Sequence, residues 1–150
     1  MLVLSLLAAI ALPVLAQRDP VQWNFAAKKI DAKTYEVHIT ATVASPWHIY
    51  SQASPDGGPQ PTKIAITKNP MLTLSGTVKE IGNVKEKFEE VFDVKVKFFS
   101  GNAEFVQVVK LKSDKVKTTL TGTVAYMVCT DEQCLPPATI PFTIPLNQDN

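Results

Sequence analysis

The chain has 150 residues, with 15 basic and 14 acidic side chains and a formal net charge of +1. The charges are spread along the sequence with no basic block or stripe, which argues against a nucleic-acid binder. The chain is long enough for one domain with a real core, and one short apolar run at its start argues against a polytopic membrane protein.

That run, Leu2 to Leu15, carries no charge and leads into Val14-Leu15-Ala16, a small-residue cleavage pattern. It is short for a membrane span, and polar sequence follows at once. Met1 to Ala16 is therefore expected to be a secretory signal peptide lacking a basic n-region, and residues 17–150 a single exported domain. Thiols in such a domain mature in an oxidising compartment.

Period-two alternation dominates the rest of the chain, and helical periodicity is almost absent. Gln22 to Ala27 is a first short strand. Thr34 to Val43 sets Tyr35, Val37, Ile39, Ala41 and Val43 against Thr34, Glu36, His38, Thr40 and Thr42. Trp47 to Tyr50 follows the Ser45-Pro46 turn signal, and Pro55-Asp56-Gly57-Gly58-Pro59 reads as a flexible connection. Thr62 to Thr67, Met71 to Leu74 and Thr77 to Val84 are further short candidates.

Val91 to Phe99 opposes Phe92, Val94, Val96 and Phe98 to Asp93, Lys95 and Lys97. Ser100-Gly101-Asn102 is expected to turn the chain before Glu104 to Leu111. Thr118 to Val128 aligns Leu120, Val124, Tyr126 and Val128. The last strand alternates Ile140, Phe142, Ile144 and Leu146 with Thr139, Pro141, Thr143 and Pro145. Proline has no N–H to give a ladder, so this strand is expected at an edge. Asn147 to Asn150 is expected to fray or to lead into a linker. Eight to ten short strands with this spacing of turn signals predict an all-β fold, an immunoglobulin-like antiparallel β-sandwich.

Both cysteines lie near the end, in Val128-Cys129-Thr130-Asp131-Glu132-Gln133-Cys134-Leu135-Pro136-Pro137. A ring this short removes little chain entropy when it closes, so it is a modest staple. Close thiols on a turn also suit exchange, in which one sulfur attacks and the other resolves the mixed disulfide. Asp131 and Glu132 between them disfavour thiolate. Spacing alone leaves both readings open: an inert local bridge in an exported, non-enzymatic binding module, or a reversible redox pair.

Tyr126-Met127-Val128-Cys129 followed by Cys134-Leu135-Pro136-Pro137 resembles the N-terminal periplasmic domain of the thiol:disulfide interchange protein DsbD. Trp47-His48-Ile49-Tyr50-Ser51-Gln52 and Val84-Lys85-Glu86-Lys87-Phe88-Glu89-Glu90-Val91-Phe92 fit the same family, and the resemblance runs from about Val21 to Leu146. The loop between the cysteines is one residue shorter here than in the best-known members. The resemblance implies an immunoglobulin-like sandwich in the periplasm that shuttles electrons through a reversible Cys129–Cys134 disulfide, as a component of a protein-disulfide reductase. It implies Cys134 as the sulfur that joins partners and Cys129 as the resolving one. It further implies a cap at Lys85 to Glu90, with Phe88 as the lid and Glu86, Lys87 and Glu89 beside it. His48, Tyr50 and Tyr126 would then flank the pair, together with Asp131 and Glu132 of its loop. The implied partners are thioredoxin-like periplasmic proteins or domains and a membrane electron-donor domain, with the domain itself a monomer. No cofactor is expected, because the sulfurs are the redox centre.

His38, His48 and the cysteines offer zinc-type ligands, and Met71 and Met127 copper-type ones, but their spacing forms no metal box. No metal is expected. No Gly-x-Ser-x-Gly element supports hydrolase chemistry.

Overall fold

The computed structural model describes residues 19–147. The expected signal segment, Met1 to Ala16, lies outside the described residues, as do residues 148–150. The described residues form nine strands and no helix. These are β1 (Val21–Lys29), β2 (Thr34–Val43), β3 (His48–Tyr50), β4 (Lys63–Ile66), β5 (Leu72–Glu89), β6 (Val94–Leu111), β7 (Thr118–Tyr126), β8 (Val128–Cys129) and β9 (Ala138–Leu146). Six of them make one sheet, in the order β1-β2-β6-β3-β8 with β5 also paired to β6, and β4-β7-β9 make the other. All pairings are antiparallel.

Alternation explains why the two sheets stack. On β2, Tyr35, Val37, Ile39, Ala41 and Val43 are buried, while the intervening polar residues stay partly or fully exposed. From the facing sheet, Leu120, Val124, Phe142, Ile144 and Leu146 complete a core that also holds Phe99, Phe105 and Val109 of β6. Phe25 stacks on Phe142 across the sheets, with centroids 4.9 Å apart. Each fully buried side chain of this kind contributes about 1.5–3 kcal/mol relative to exposure, which makes the sandwich the dominant source of stability. The proline-bearing β9 lies at an edge, as its composition requires.

Three expected breaks are absent. β5 runs unbroken through both of its candidate segments and on through the expected cap loop to Glu89, and β6 runs through Ser100-Gly101-Asn102. The chain absorbs these turn signals as bulges, with register shifts between Ser75 and Lys79 and between Gly82 and Val84. Gly82 (φ 148°) and Gly101 (φ 85°) supply backbone angles that residues with a Cβ avoid. The buried Gln107 amide fills the first bulge, its Nε2 donating to the Ser75 carbonyl at 3.2 Å and the Gly76 carbonyl at 3.3 Å. β5 and β6 therefore form one long hairpin. Its tip is Glu90 to Asp93, with Asp93 at φ 53°, a left-handed angle that aspartate tolerates. Val91, expected to open a strand, is instead 89% exposed at this tip.

The single strand expected over Thr118 to Val128 is split at Met127. β7 belongs to the three-stranded sheet and β8 to the six-stranded one, so the chain crosses between sheets there. Val128 enters the main core, and Cys129 enters a separate small cluster with Tyr50 and Val96. Asn147, expected to fray, is held instead: its Nδ2 donates to the carbonyls of Asp114 at 2.8 Å and Val116 at 2.9 Å.

A candidate redox site at the edge of the larger sheet

β8 is only two residues long and pairs with β3, setting His48 opposite Cys129 and Ile49 opposite Val128. Beyond it the chain turns sharply. Thr130 organises the turn: its backbone N–H donates to the Gln133 carbonyl at 2.7 Å, and its Oγ1 accepts from the N–H groups of Glu132 (3.2 Å) and Gln133 (3.1 Å). The turn returns Cys134 to Cys129, with Cα atoms 4.0 Å apart and the sulfurs bonded. Leu135 N–H then donates to the Val128 carbonyl at 3.0 Å, closing the ring at its base.

The two sulfurs occupy unlike surroundings. Cys129 is 1% exposed, packed with Tyr50 and Val96 and flanked by Val94, Phe98 and Met127. Cys134 is exposed on the outer limb of the turn. Cys134 is thus the more accessible of the two cysteines. Among the described residues, no group of three or more His, Cys, Asp and Glu side chains is placed to hold a metal ion. A bridge of this kind can take part in thiol–disulfide exchange.

Residues 15–145 match the family model for the N-terminal domain of the thiol:disulfide interchange protein DsbD. The chain belongs to this family. Its fold is similar to the crystal structure of the Neisseria meningitidis DsbD N-terminal domain in the reduced form, at 18% identity and a TM-score of 0.60, covering 90% of this chain and 92% of that one. It is also similar to the N-terminal periplasmic domain of ScsB from Proteus mirabilis, at 15% identity and a TM-score of 0.59, covering 90% of this chain and 49% of that one. These likenesses establish the immunoglobulin-like fold. No curated protein sequence matches the chain.

Around the cysteines of this member of the DsbD N-terminal family, polar side chains are buried and paired. His48 and Tyr50 are both buried, at 3% and 1% exposure. His48 Nε2 lies 3.1 Å from the Tyr50 hydroxyl, which donates to Glu89 Oε1 at 3.3 Å. Burial, with Lys87 nearby, lowers the His48 pKa to about 4, so the ring is neutral at pH 7. Burial and then the Glu89 carboxylate push the Tyr50 phenol well above its ordinary value.

From β5, Lys87 Nζ contacts Glu89 Oε1 at 2.8 Å and Asp131 Oδ1 at 3.1 Å, and lies 5.2 Å from the centre of the Phe98 ring. Partial burial pulls the Lys87 pKa down, but its bonds to Glu89 and Asp131 outweigh that and the net shift is upward. The same bond, made by the Lys87 ammonium, holds the Asp131 carboxyl below the usual range.

Three expected positions differ. Phe88 sits between Lys87 and Glu89 on a continuous strand, so it faces away from the cysteines and is 57% exposed. Glu86 shares that outer face and pairs with Lys95 at 2.6 Å. Lys87 and Glu89 are the β5 side chains on the cysteine side. Tyr126 is buried in the main core, its hydroxyl donating to Asp19 Oδ2 at 3.0 Å and its ring 5.2 Å from that of Trp23. Burial, then the Asp19 bond, pushes its pKa up to about 12. Glu132 lies on the exposed turn, and with Asp131 it lines a shallow cleft that Pro46 and Trp47 close on the far side. Val96 and Phe98, which help build the pocket for Cys129, were legible as alternating apolar residues but not as parts of this site, and Met127, which joins them, falls on the polar face of the alternation.

Proposed function

We propose that this domain is a periplasmic carrier of electrons by thiol–disulfide exchange, with Cys129 and Cys134 as its reversible centre. The observation that carries the reading is the asymmetry of the bridge, one cysteine exposed and one buried, in a chain of this family. A partner thiolate attacks Cys134; the S–S bond breaks and its electron pair stays on Cys129. The partner's second thiolate then attacks the partner sulfur of the mixed disulfide and releases Cys134 as thiolate. The partner dithiol is oxidised and this domain is reduced. In the other direction Cys134 attacks an oxidised partner and Cys129 resolves the intermediate.

Thioredoxin-like proteins or domains suit the role of partner because they present an exposed cysteine pair of their own. A membrane domain is the proposed source of electrons, which makes this chain one component of a protein-disulfide reductase. Export through the Met1–Ala16 segment, leaving residues 17–150 as a monomeric domain, would place the cysteines in the required compartment.

Equilibration of the oxidised protein with glutathione or dithiothreitol buffers, followed by acid quench and alkylation, tests the reading. A pair that turns over between the two forms at mild potentials is expected. A bridge as resistant as ordinary structural disulfides would leave only a local staple on a binding module. In whole periplasm, Cys129→Ala is expected to trap partners as mixed disulfides through Cys134.

A further inference from the structure

Reduction of the bridge leaves Cys129 as a thiolate that must gain a proton, and re-oxidation requires that thiol to lose it. Cys129 is 1% exposed, so bulk water does not serve its sulfur directly. Its cross-strand neighbour on the same face is His48. From His48 a chain of hydrogen bonds runs outward: Nε2 to the Tyr50 hydroxyl at 3.1 Å, then Tyr50 to Glu89 Oε1 at 3.3 Å. Glu89 has a side chain 20% exposed, beside Lys87.

The network fixes the tautomer. An ionised carboxylate only accepts, so Tyr50 gives its single hydroxyl proton to Glu89 and its oxygen must accept from His48. Nε2 therefore carries the proton, and Nδ1 keeps a free lone pair. The charged and titratable groups around the ring are Tyr50 of its own strand, Lys87 and Glu89 of β5, Cys129 of β8 and Asp131 of the cysteine loop. Phe98 of β6 packs on the ring at 5.0 Å and contributes no charge. A neutral imidazole can accept at one nitrogen while donating at the other; an imidazolium cannot accept.

We propose that His48, Tyr50 and Glu89 form the proton path between the buried Cys129 sulfur and solvent. The proposal rests on the proposed exchange function. When Cys129 resolves a mixed disulfide held on Cys134, its S–H proton passes to His48 Nδ1, the Nε2 proton to the Tyr50 oxygen, and the Tyr50 proton to the Glu89 carboxylate and on to water. The Cys129 thiolate then attacks the Cys134 sulfur, and the expelled partner thiolate takes a proton from solvent. Two electrons leave the domain as one disulfide forms. Reduction runs the path inward. His48 stays neutral before and after each transfer.

The test uses the reduced full chain mixed rapidly with oxidised glutathione, with release of glutathione from the Cys134 mixed disulfide followed by acid quench and mass spectrometry. Tyr50→Phe removes one oxygen and keeps the ring, and Glu89→Gln keeps the size of a half-buried side chain and its acceptor oxygen, so both preserve the packing that His48→Phe disturbs. All three are expected to slow the resolving step at pH 7 by roughly tenfold or more. The equilibrium constant with glutathione is expected to stay within about twofold, because a path changes rates and not end states. Unchanged rates in the folded Tyr50→Phe and Glu89→Gln proteins overturn the path. So does a change in equilibrium matching the change in rate, which would make these groups tuners of sulfur stability. A wild-type protein that does not exchange with glutathione at all is a different result, since it removes the proposed function before any variant is compared.

Discussion

Lys87 Nζ lies 3.1 Å from Asp131 Oδ1 and 2.8 Å from Glu89 Oε1, so one ammonium joins the end of the long hairpin to the ring that the cysteines close. The Asp131 side chain is 91% exposed, and ion pairs at such positions contribute little to stability. Lys87 should therefore matter for access more than for stability. Its charge is already matched by two carboxylates, so its remaining effect is to hold the hairpin against the disulfide. Lys87→Ala is expected to lower unfolding stability by less than about 1 kcal/mol in urea titrations. It should speed reduction by dithiothreitol severalfold. High salt, which screens the pair, should move the wild-type rate toward the variant's. Equal rates at low salt would show that the hairpin does not gate the sulfurs.

His48 makes stability depend on pH. Its pKa is about 4 in the folded chain against an ordinary value of 6.5, so between these limits the unfolded chain binds a proton that the native state refuses. Stability is then full above about pH 6.5 and falls as the pH drops toward 4. The whole shift corresponds to about 3 kcal/mol, and screening of the partly exposed carboxylates nearby reduces the expected loss to about 1–2 kcal/mol. Asp131 adds a loss of the same sign only below its ordinary pKa of 3.8, because its folded value is lowered. Urea midpoints from pH 7 to pH 4.5 in wild type and His48→Gln should separate the two. A slope unchanged by the substitution would assign the acid sensitivity elsewhere.

The sandwich was legible because alternation is local: each strand face of β2, β7 and β9 follows from residues two apart, and the prolines of β9 mark an edge by their missing donors. The cysteine ring was legible for the same reason. The strand switch at Met127 was not, since Val128 continues the apolar alternation of Tyr126 while joining a different sheet. The position of Phe88 depends on register. Shifts at Ser75/Lys79 and Gly82/Val84 decide which residues of β5 face the cysteines, and a shift of one residue exchanges the two faces. The His48–Tyr50–Glu89 chain joins residues 39 positions apart, beyond the reach of any pattern within one strand.

Gly122 on β7 has no room for a side chain. A Cβ there would stand 2.5 Å from the Ala65 carbonyl oxygen and 2.5 Å from Phe142 Cζ. The first of these is backbone of the paired strand β4, which cannot rotate aside. Gly122→Ala is expected to cost about 1–3 kcal/mol or more by overpacking, visible as a lowered thermal midpoint. Gly57→Ala, where a Cβ meets nothing within 4 Å but the φ of 89° is retained, should cost less and only through backbone strain. Equal losses would mean that the smaller sheet opens to accept the methyl group.

Cys129 and Cys134 should respond differently to the same substitution. Either alanine variant opens the ring, and closing a loop this short is worth about 2 kcal/mol in chain entropy. Cys129→Ala also empties part of the cluster formed with Tyr50 and Val96, adding about 1 kcal/mol for the lost buried group. Cys134→Ala leaves Cys129 as a buried thiol, which packs as a small hydrophobe. Urea unfolding should therefore rank Cys129→Ala below Cys134→Ala. Alkylation should give the complementary order: the lone Cys134 thiol reacts with iodoacetamide at least about tenfold faster than the lone Cys129 thiol, because exposure governs attack. Comparable alkylation rates would mean that the Cys129 pocket opens readily once the bridge is gone, and the exposed sulfur would lose its claim to be the point of entry.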